Sequence, residues 1–389
     1  MRMYPRYVPQ LGLGAWFRWF VGPRDSALAA TAAIHTELAG GAVLPFSCAY
    51  DNLRTGLRAY FSHLTRARGA GRVLVSSQIC AAVPRALEAA GCSVHYVDVD
   101  EHYPTPSARQ FAAALDGRTA AVIVAPAYGH VQDDWSELLD ALGGRALVLD
   151  LAQGLGLEQR LALLYRVADA VTYSFGLGKG LDTGGGLVLA RSALEPQLKS
   201  RGGRFAAIRT LGNAIALKSI IASGLYPFFA HRADEFDAGQ GTAQSTPGYD
   251  ARILALLWRE KLAVFSAEIG LARDRAEALG KSGPLAAKLR DTDIYLGRAA
   301  SHLRQVIRIA DPGRRDALIA GLRGDGIDCA PAGEPLPQAT CPHGSPEVYP
   351  NAARFRSDAI RLPYLGRMSE SRFRRFRTIL ERAVVRHLS

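Results

Sequence analysis

The chain has 389 residues, 48% of them hydrophobic and 21% charged, which suits one large domain or two and excludes a disordered chain. Lys and Arg number 47 against 36 Asp and Glu, a net charge of +11 that favours anionic partners. Five cysteines without a Cys-x-x-Cys pair speak against structural disulfides and zinc and for a reducing, cytoplasmic setting.

Met1 to Gly22 is interrupted by Arg and Pro and lacks the clean apolar core of a secretory signal. From Gly71 short apolar runs alternate with helical patterns. "GRVLVSS" reads as a strand, and "AAVPRALEAAG" as a helix closed by Gly91. "SVHYVDVD" is a strand, and "SARQFAAALDG" a helix with Ser107 as its N-cap. "TAAVIVAPAYG" is a buried strand, followed by the helix "DDWSELLDALGG" with Asp133 or Asp134 near its cap. "ALVLDLAQG", "AVTYSFG" and "GGLVLA" complete the strands. This alternation predicts an α/β domain with a mainly parallel sheet, whose ligands bind at the carboxyl ends of the strands.

Residues 196–247 break the pattern with Lys, Arg, Gly and Ala. Within them the apolar stretch Asn213–Ala230 holds Lys218, Ser219, Ser223 and Pro227, a poor membrane span. Then come a long helical pattern from Ala251, a strand "QVIRIA", a helix beginning at Asp311, and a loop rich in Pro and Gly (Ala330–Pro350). "AIRLPYLG" and a basic amphipathic helix close the chain. The expected division is a large domain over 1–248, with an insert at about 196–247, and a smaller C-terminal α+β domain over 249–389.

Four polar residues fall at strand ends or in a glycine turn: Asp150, Gln153, Ser174 and Lys179. The turn lacks the spacing of a nucleotide phosphate loop, because Gly180 and not Ser or Thr follows Lys179. Pyridoxal phosphate (PLP) needs such a set. It requires a lysine amine for a covalent link, a carboxylate on its pyridine nitrogen, and hydroxyls and amides for its phosphate. The same residues have plainer uses: Asp150 can cap a helix, Gln153 can serve backbone groups, Ser174 can cap a turn, and Lys179 can be a surface lysine.

The motifs "VLDLAQGLG" and "YSFGLGKGLDTGGGLVLA", with "GYDARILALLWREKL" and "RLPYLGRMSESRFRRFRTIL" after them, resemble the fold-type I PLP enzymes, specifically the DegT-type sugar aminotransferases. The resemblance implies an aspartate aminotransferase-like large domain and small domain. It implies Lys179 as the Schiff-base lysine and proton shuttle, and Asp150 as partner of the pyridine nitrogen. It also implies Gln153 beside the ring and Ser174 on the phosphate. The family's phosphate turn falls at Tyr50, Asp51 and Asn52, with Asp51 as the expected cap. Gln78 and Cys80 stand where an aromatic often stacks on the ring, and Asp250 replaces an asparagine in a loop, Gly248–Arg252, that reaches the partner subunit's cofactor in the family. A homodimer follows from the resemblance.

The expected activity moves an amino group from an amino acid donor to a keto-sugar, nucleotide-linked or not, or to a related keto substrate. The alternative is another PLP reaction on the same fold: decarboxylation, a lyase step or C–C bond formation. A non-catalytic DNA- or membrane-binding role is the third reading. No helix-turn-helix extension supports it, and attraction to phosphates by charge alone is unspecific, so neither nucleic acid nor membrane is expected as a partner. The insert is expected to cover the active site or to join the dimer interface.

Overall fold

The computed structural model describes residues 44–50, 52–176, 178–181, 183–194, 251–281, 283–288, 303–334 and 348–388, with single positions 4, 34, 38, 215 and 219. Apart from positions 215 and 219 the expected insert lies outside the described residues, as do Asp51 and Asp250.

Seven strands form the main sheet: β1 (Phe46–Tyr50), β2 (Arg72–Ser76), β3 (Ser93–Val97), β4 (Thr119–Val124), β5 (Ala146–Asp150), β6 (Ala170–Ser174) and β7 (Gly186–Ala190). Their order is β1-β7-β6-β5-β4-β2-β3. Pairings from β3 through β6 are parallel, and β7 runs antiparallel to both its neighbours, β6 and β1. The expected mainly parallel sheet is therefore present. Its central strands β4 and β5 read as unbroken apolar runs because helices cover both faces.

Successive side chains point to opposite faces, so each strand feeds two cores. Val73, Val75, Ile123 and Val148 pack under α1 (Leu53–Arg68) and α2 (Ala82–Glu88). Leu74, Val122, Val124, Leu147 and Leu149 pack on the other side with α3 (Ala108–Ala114), α4 (Ser136–Ala141) and α5 (Ala162–Val167). The long helix α6 (Ala251–Gly280) joins that second layer through Trp258, Leu262 and Phe265.

The far end of α6 belongs to another core. Ala276 and Leu279 pack with Ile307 of β8 (Val306–Arg308) and Ile360 of β10 (Ala359–Arg361). After the short α7 (Gly283–Lys288), helix α8 (Pro312–Gly324) completes that core with α10 (Glu370–Leu388). β9 (Ala330–Pro331) completes a three-stranded antiparallel sheet in the order β8-β10-β9. The boundary expected near residue 249 thus falls just before a helix that both cores share.

Local chemistry sets the helix ends. Ser107 and Gln110 form a capping box on α3, and Asp311 accepts from the Arg314 N–H at the head of α8. Asp134 accepts from the Ser136 N–H ahead of α4, while Asp133 pairs with Arg160. The cap of α1 differs from expectation. Asn52 holds it, its Oδ1 accepting from the Thr55 N–H at 3.0 Å. An amide oxygen does this work as well as the expected Asp51 would, and it brings no negative charge to the helix N-terminus.

Asp98 ties the second unit to the main sheet. It accepts from the Asn351 and Ala352 N–H groups (3.0 and 3.1 Å) in the first turn of α9 (Pro350–Asp358). At the other end of α9, Asp358 forms a buried ion pair with Arg308, which also donates to the Glu101 carbonyl.

Candidate active site

The chain reverses its direction of travel across the sheet between β2 and β4, which are adjacent in space. At such a switch point the strand ends open into a crevice. The carboxyl ends of β2, β4, β5 and β6 carry Gln78, Tyr128, Asp150 and Ser174 respectively, just past or at the last paired residue.

Asp150 closes β5 and is 5% exposed. Both hydrogen bonds described for it fall on Oδ1, from the Ala152 N–H (3.0 Å) and the Thr172 hydroxyl (3.3 Å). The capping use is therefore realised, but by one oxygen, leaving Oδ2 for another partner. Burial pushes the carboxyl up, against the pull of the Ala152 N–H and of Lys179.

Lys179 sits in the turn between Ser174 and Gly186, which face each other across the antiparallel β6–β7 pair. The Thr183 and Gly184 N–H groups both donate to the Phe175 carbonyl, and the Lys179 N–H donates to the Gly176 carbonyl (3.0 Å). Gly178, Gly184 and Gly185 have φ of 75°, 90° and 84°, a region that side chains disfavour. Three side chains from outside hold this turn. Trp258 Nε1 donates to the Gly184 carbonyl (3.0 Å), Arg304 to Gly178 and Arg367 to Gly180. A Cβ on Gly180 would meet Leu155 at 2.6 Å, so the turn is also packed from below.

Lys179 is not a freely solvated surface lysine. Burial, then the Arg304 charge, push its amine below the ordinary lysine value, while Cys80, Asp150 and Glu334 pull the other way. In this state burial drives both Lys179 and Asp150 toward neutrality.

The remaining expected residues divide. Ser174 is half-buried at the end of β6. Gln153 lies in the turn after β5, where its Oε1 accepts from the Tyr128 N–H (2.9 Å). Asn52 heads α1, whose first turn carries no acidic residue, so the positive end of the helix dipole there favours an anion. Tyr50 contributes its place in the turn but not its ring, which is buried under α1 against Gly56. Gln78 is engaged elsewhere: its Oε1 accepts from the Glu334 N–H (2.8 Å) and its Nε2 donates to the Glu334 carbonyl (3.5 Å). Cys80, the other candidate for the stacking position, follows β2, and burial, its largest influence, pushes its thiol up while the Lys179 charge pulls it down.

Sequence reasoning missed four residues. Arg304 and Arg367 clamp the lysine turn, Glu334 brings a second carboxylate toward it, and Tyr128 supports Glu334's segment by accepting from the Gly333 N–H at 2.7 Å. Tyr128 holds φ 54°, alone among the described non-glycine residues, a strain of about 1–3 kcal/mol that its neighbours over-determine. Arg304, Glu334 and Arg367 lie far along the chain from Lys179; Arg304 and Glu334 fall outside any quoted motif, and the motif that holds Arg367 gave no sign of its contact with the lysine turn.

The donor set fits PLP: an amine biased toward neutrality, a buried carboxylate with an uncommitted oxygen, a strand-end hydroxyl and a helix whose first turn carries no acidic residue. Among the described residues no group of His, Cys, Asp or Glu could hold a metal ion, and no helix is long and apolar enough to cross a membrane. The large, mainly parallel sheet with its smaller α+β unit is the fold-type I architecture.

Comparison with known proteins carries this further. Residues 19–200 match the DegT/DnrJ/EryC1/StrS aminotransferase family, so the resemblance read from the motifs is borne out. Among solved structures it is similar to the aminotransferase TlmJ from Streptoalloteichus hindustanus (19% identity, TM-score 0.68, covering 99% of both chains). It is similar to the sugar aminotransferase CalS13 from Micromonospora echinospora (17%, 0.66, 98% of this chain and 99% of that one). It is also similar to the GDP-4-keto-6-deoxy-D-mannose-3-dehydratase of E. coli with bound hydrated PLP (15%, 0.67, 98% and 100%). At these identities the likeness is one of fold. No curated protein matches the chain.

Proposed function

We propose that this chain is a PLP-dependent aminotransferase that passes an amino group from an amino acid donor to a keto-sugar, nucleotide-linked or not, or a related keto substrate. The observation that carries the reading is a lysine amine biased toward neutrality in the same strand-end site as a buried carboxylate, within a chain whose residues 19–200 match an aminotransferase family.

Bound there, PLP would supply a carbonyl that links to amines and a ring that takes up carbanion charge. The chain's own groups do the rest. Lys179 would hold the cofactor covalently and, once displaced by a substrate amine, its Nζ would be free to take up and return a proton. Asp150 Oδ2 keeps the pyridine nitrogen protonated, and the ring N–H in turn relieves the cost of a buried carboxylate. Ser174 and the first amides of α1 hold the phosphate, with Gln153 beside the ring. Two chains form a homodimer with sites at their interface, Asp250 reaching the neighbour's cofactor, and the protein works in the cytoplasm. Residues 1–248 and 249–389 serve as large and small domains, and the insert near 196–247 covers the site or joins the interface.

A second reading keeps PLP and changes the reaction to a lyase, decarboxylase or C–C bond-forming step. It is favoured by Gln78 being tied to Glu334 and by Cys80 standing in the stacking position. The test is to load the protein with PLP and add glutamate. Conversion to the amino form of the cofactor supports transamination, and turnover without that conversion supports the second reading. Borohydride should trap the cofactor on Lys179 and not on Lys179→Ala; a native chain that takes up no PLP would sink both readings.

A further inference from the structure

The carbonyls on either side of Lys179 are each held by an arginine from the C-terminal third of the chain. Arg304, two residues before β8, donates from Nε (3.2 Å) and Nη2 (3.0 Å) to the Gly178 carbonyl. Arg367, between β10 and α10, donates from Nη2 to the Gly180 carbonyl (2.8 Å). The two clamps differ in geometry, Arg304 placing two N–H groups on its oxygen and Arg367 one. Arg367 has Glu268 Oε2 at 2.8 Å from its Nε, and its guanidinium sits over the Tyr364 ring at 5.3 Å.

We propose that Arg304 is the positioning residue for Lys179, its guanidinium fixing both the turn that presents the lysine and a positive charge beside the amine. The inference rests on reading Lys179 as the covalent lysine. An amine attacks a carbonyl only when neutral. Four groups face it from four segments: Cys80 between β2 and α2, Asp150 at the end of β5, Glu334 after β9, and Arg304 before β8. Cys80, Asp150 and Glu334 all favour the ammonium form, and Arg304 is the charged group that opposes them alongside burial. A guanidinium remains protonated at any working pH, so the bias persists throughout the enzyme's range. The two-pronged grip also keeps the charge from swinging away, since two N–H groups converging on one oxygen orient the planar guanidinium better than one would.

The test uses the full-length chain stripped of cofactor. Trace labelling with acetic anhydride across neutral to alkaline pH, read by peptide mass spectrometry, gives the midpoint at which Lys179 becomes reactive. The exposed Lys281 serves as the internal reference. Arg304→Gln should raise the midpoint by about one pH unit, the low end of what one neighbouring charge does. Arg304→Lys, which keeps the charge, should stay near the native midpoint, and Arg367→Gln should leave it in place. An unmoved midpoint in Arg304→Gln would overturn the proposal. So would a rise in Arg304→Lys or Arg367→Gln as large as in Arg304→Gln, which would mark a loosened turn in place of a lost charge. Should Arg304→Gln fail to fold, Arg304→Met, which keeps the stem and removes the charge, takes its place in the same comparison. The readout needs no bound cofactor. Failure of the functional reading would show separately, as native protein that does not capture PLP on Lys179.

Discussion

Gly186→Ala should damage stability and cofactor binding together. Gly186 opens β7 and is paired on both sides, with Tyr50 of β1 and Ser174 of β6, so it cannot retreat. A Cβ there would lie 2.7 Å from both the N and Cα of Leu53. Ordinary contact begins at 3.4 Å, so the head of α1 must move by some 0.7 Å, the difference of those two distances. Overpacking of this kind costs about 1–3 kcal/mol. The shift also strains the Asn52 cap on Thr55, worth about 1 kcal/mol. The expected total is about 2–4 kcal/mol in urea unfolding of the cofactor-free chain. The same shift moves the amides proposed to hold the phosphate, and a loss of about 1.4 kcal/mol there would raise the Kd for PLP tenfold. A variant within about 0.5 kcal/mol of native stability, the range of an ordinary surface change, would refute the packing argument. Normal stability and normal PLP affinity together would also remove α1 from the phosphate site.

Other substitutions probe other parts of the argument. Gly270→Ala lies in α6 with open space around its Cβ, and should stabilise the chain by about 0.5–1 kcal/mol in the same urea titration. Asp98→Ala removes the acceptor of the Ser77 hydroxyl and of the Val99, Asn351 and Ala352 N–H groups, and should cost about 2–4 kcal/mol in unfolding experiments, a lost cap plus stranded donors. Asp150→Asn has a pH signature. The folded carboxyl is raised above its unfolded value of 3.8, so between the two values the folded chain binds more protons, and stability falls as pH rises through that window. The cofactor-free variant should melt at a higher temperature than native at neutral pH and lose that advantage below the unfolded value, while binding PLP more weakly. An advantage that persists unchanged in acid would point to packing instead of charge.

Much of this site was legible because it is local. Asp150 and Gln153 share one strand end, and Ser174 and Lys179 share one glycine turn, so hydrophobic periodicity and spacing locate both pieces. The capping pattern also placed Ser107 and Asp311 correctly. Asn52 in place of Asp51 was missed because both side chains suit a cap and one residue of register separates them. Tyr50 closes β1 and Gln78 follows β2, but side-chain direction is settled by packing. Tyr50 fills the space under Gly56, and Gln78 finds the backbone of Glu334.

By itself, then, the sequence determined the α/β alternation, the mainly parallel sheet and the two local pieces that carry Asp150 and Lys179, since each piece follows from a residue pattern within about ten positions. Only the tertiary structure decided what surrounds the amine. Arg304, Glu334 and Arg367 reach the Lys179 turn from the C-terminal third because α6 and the second sheet fold back against the strand ends. Such contacts depend on how two cores meet, and no short-range pattern encodes that.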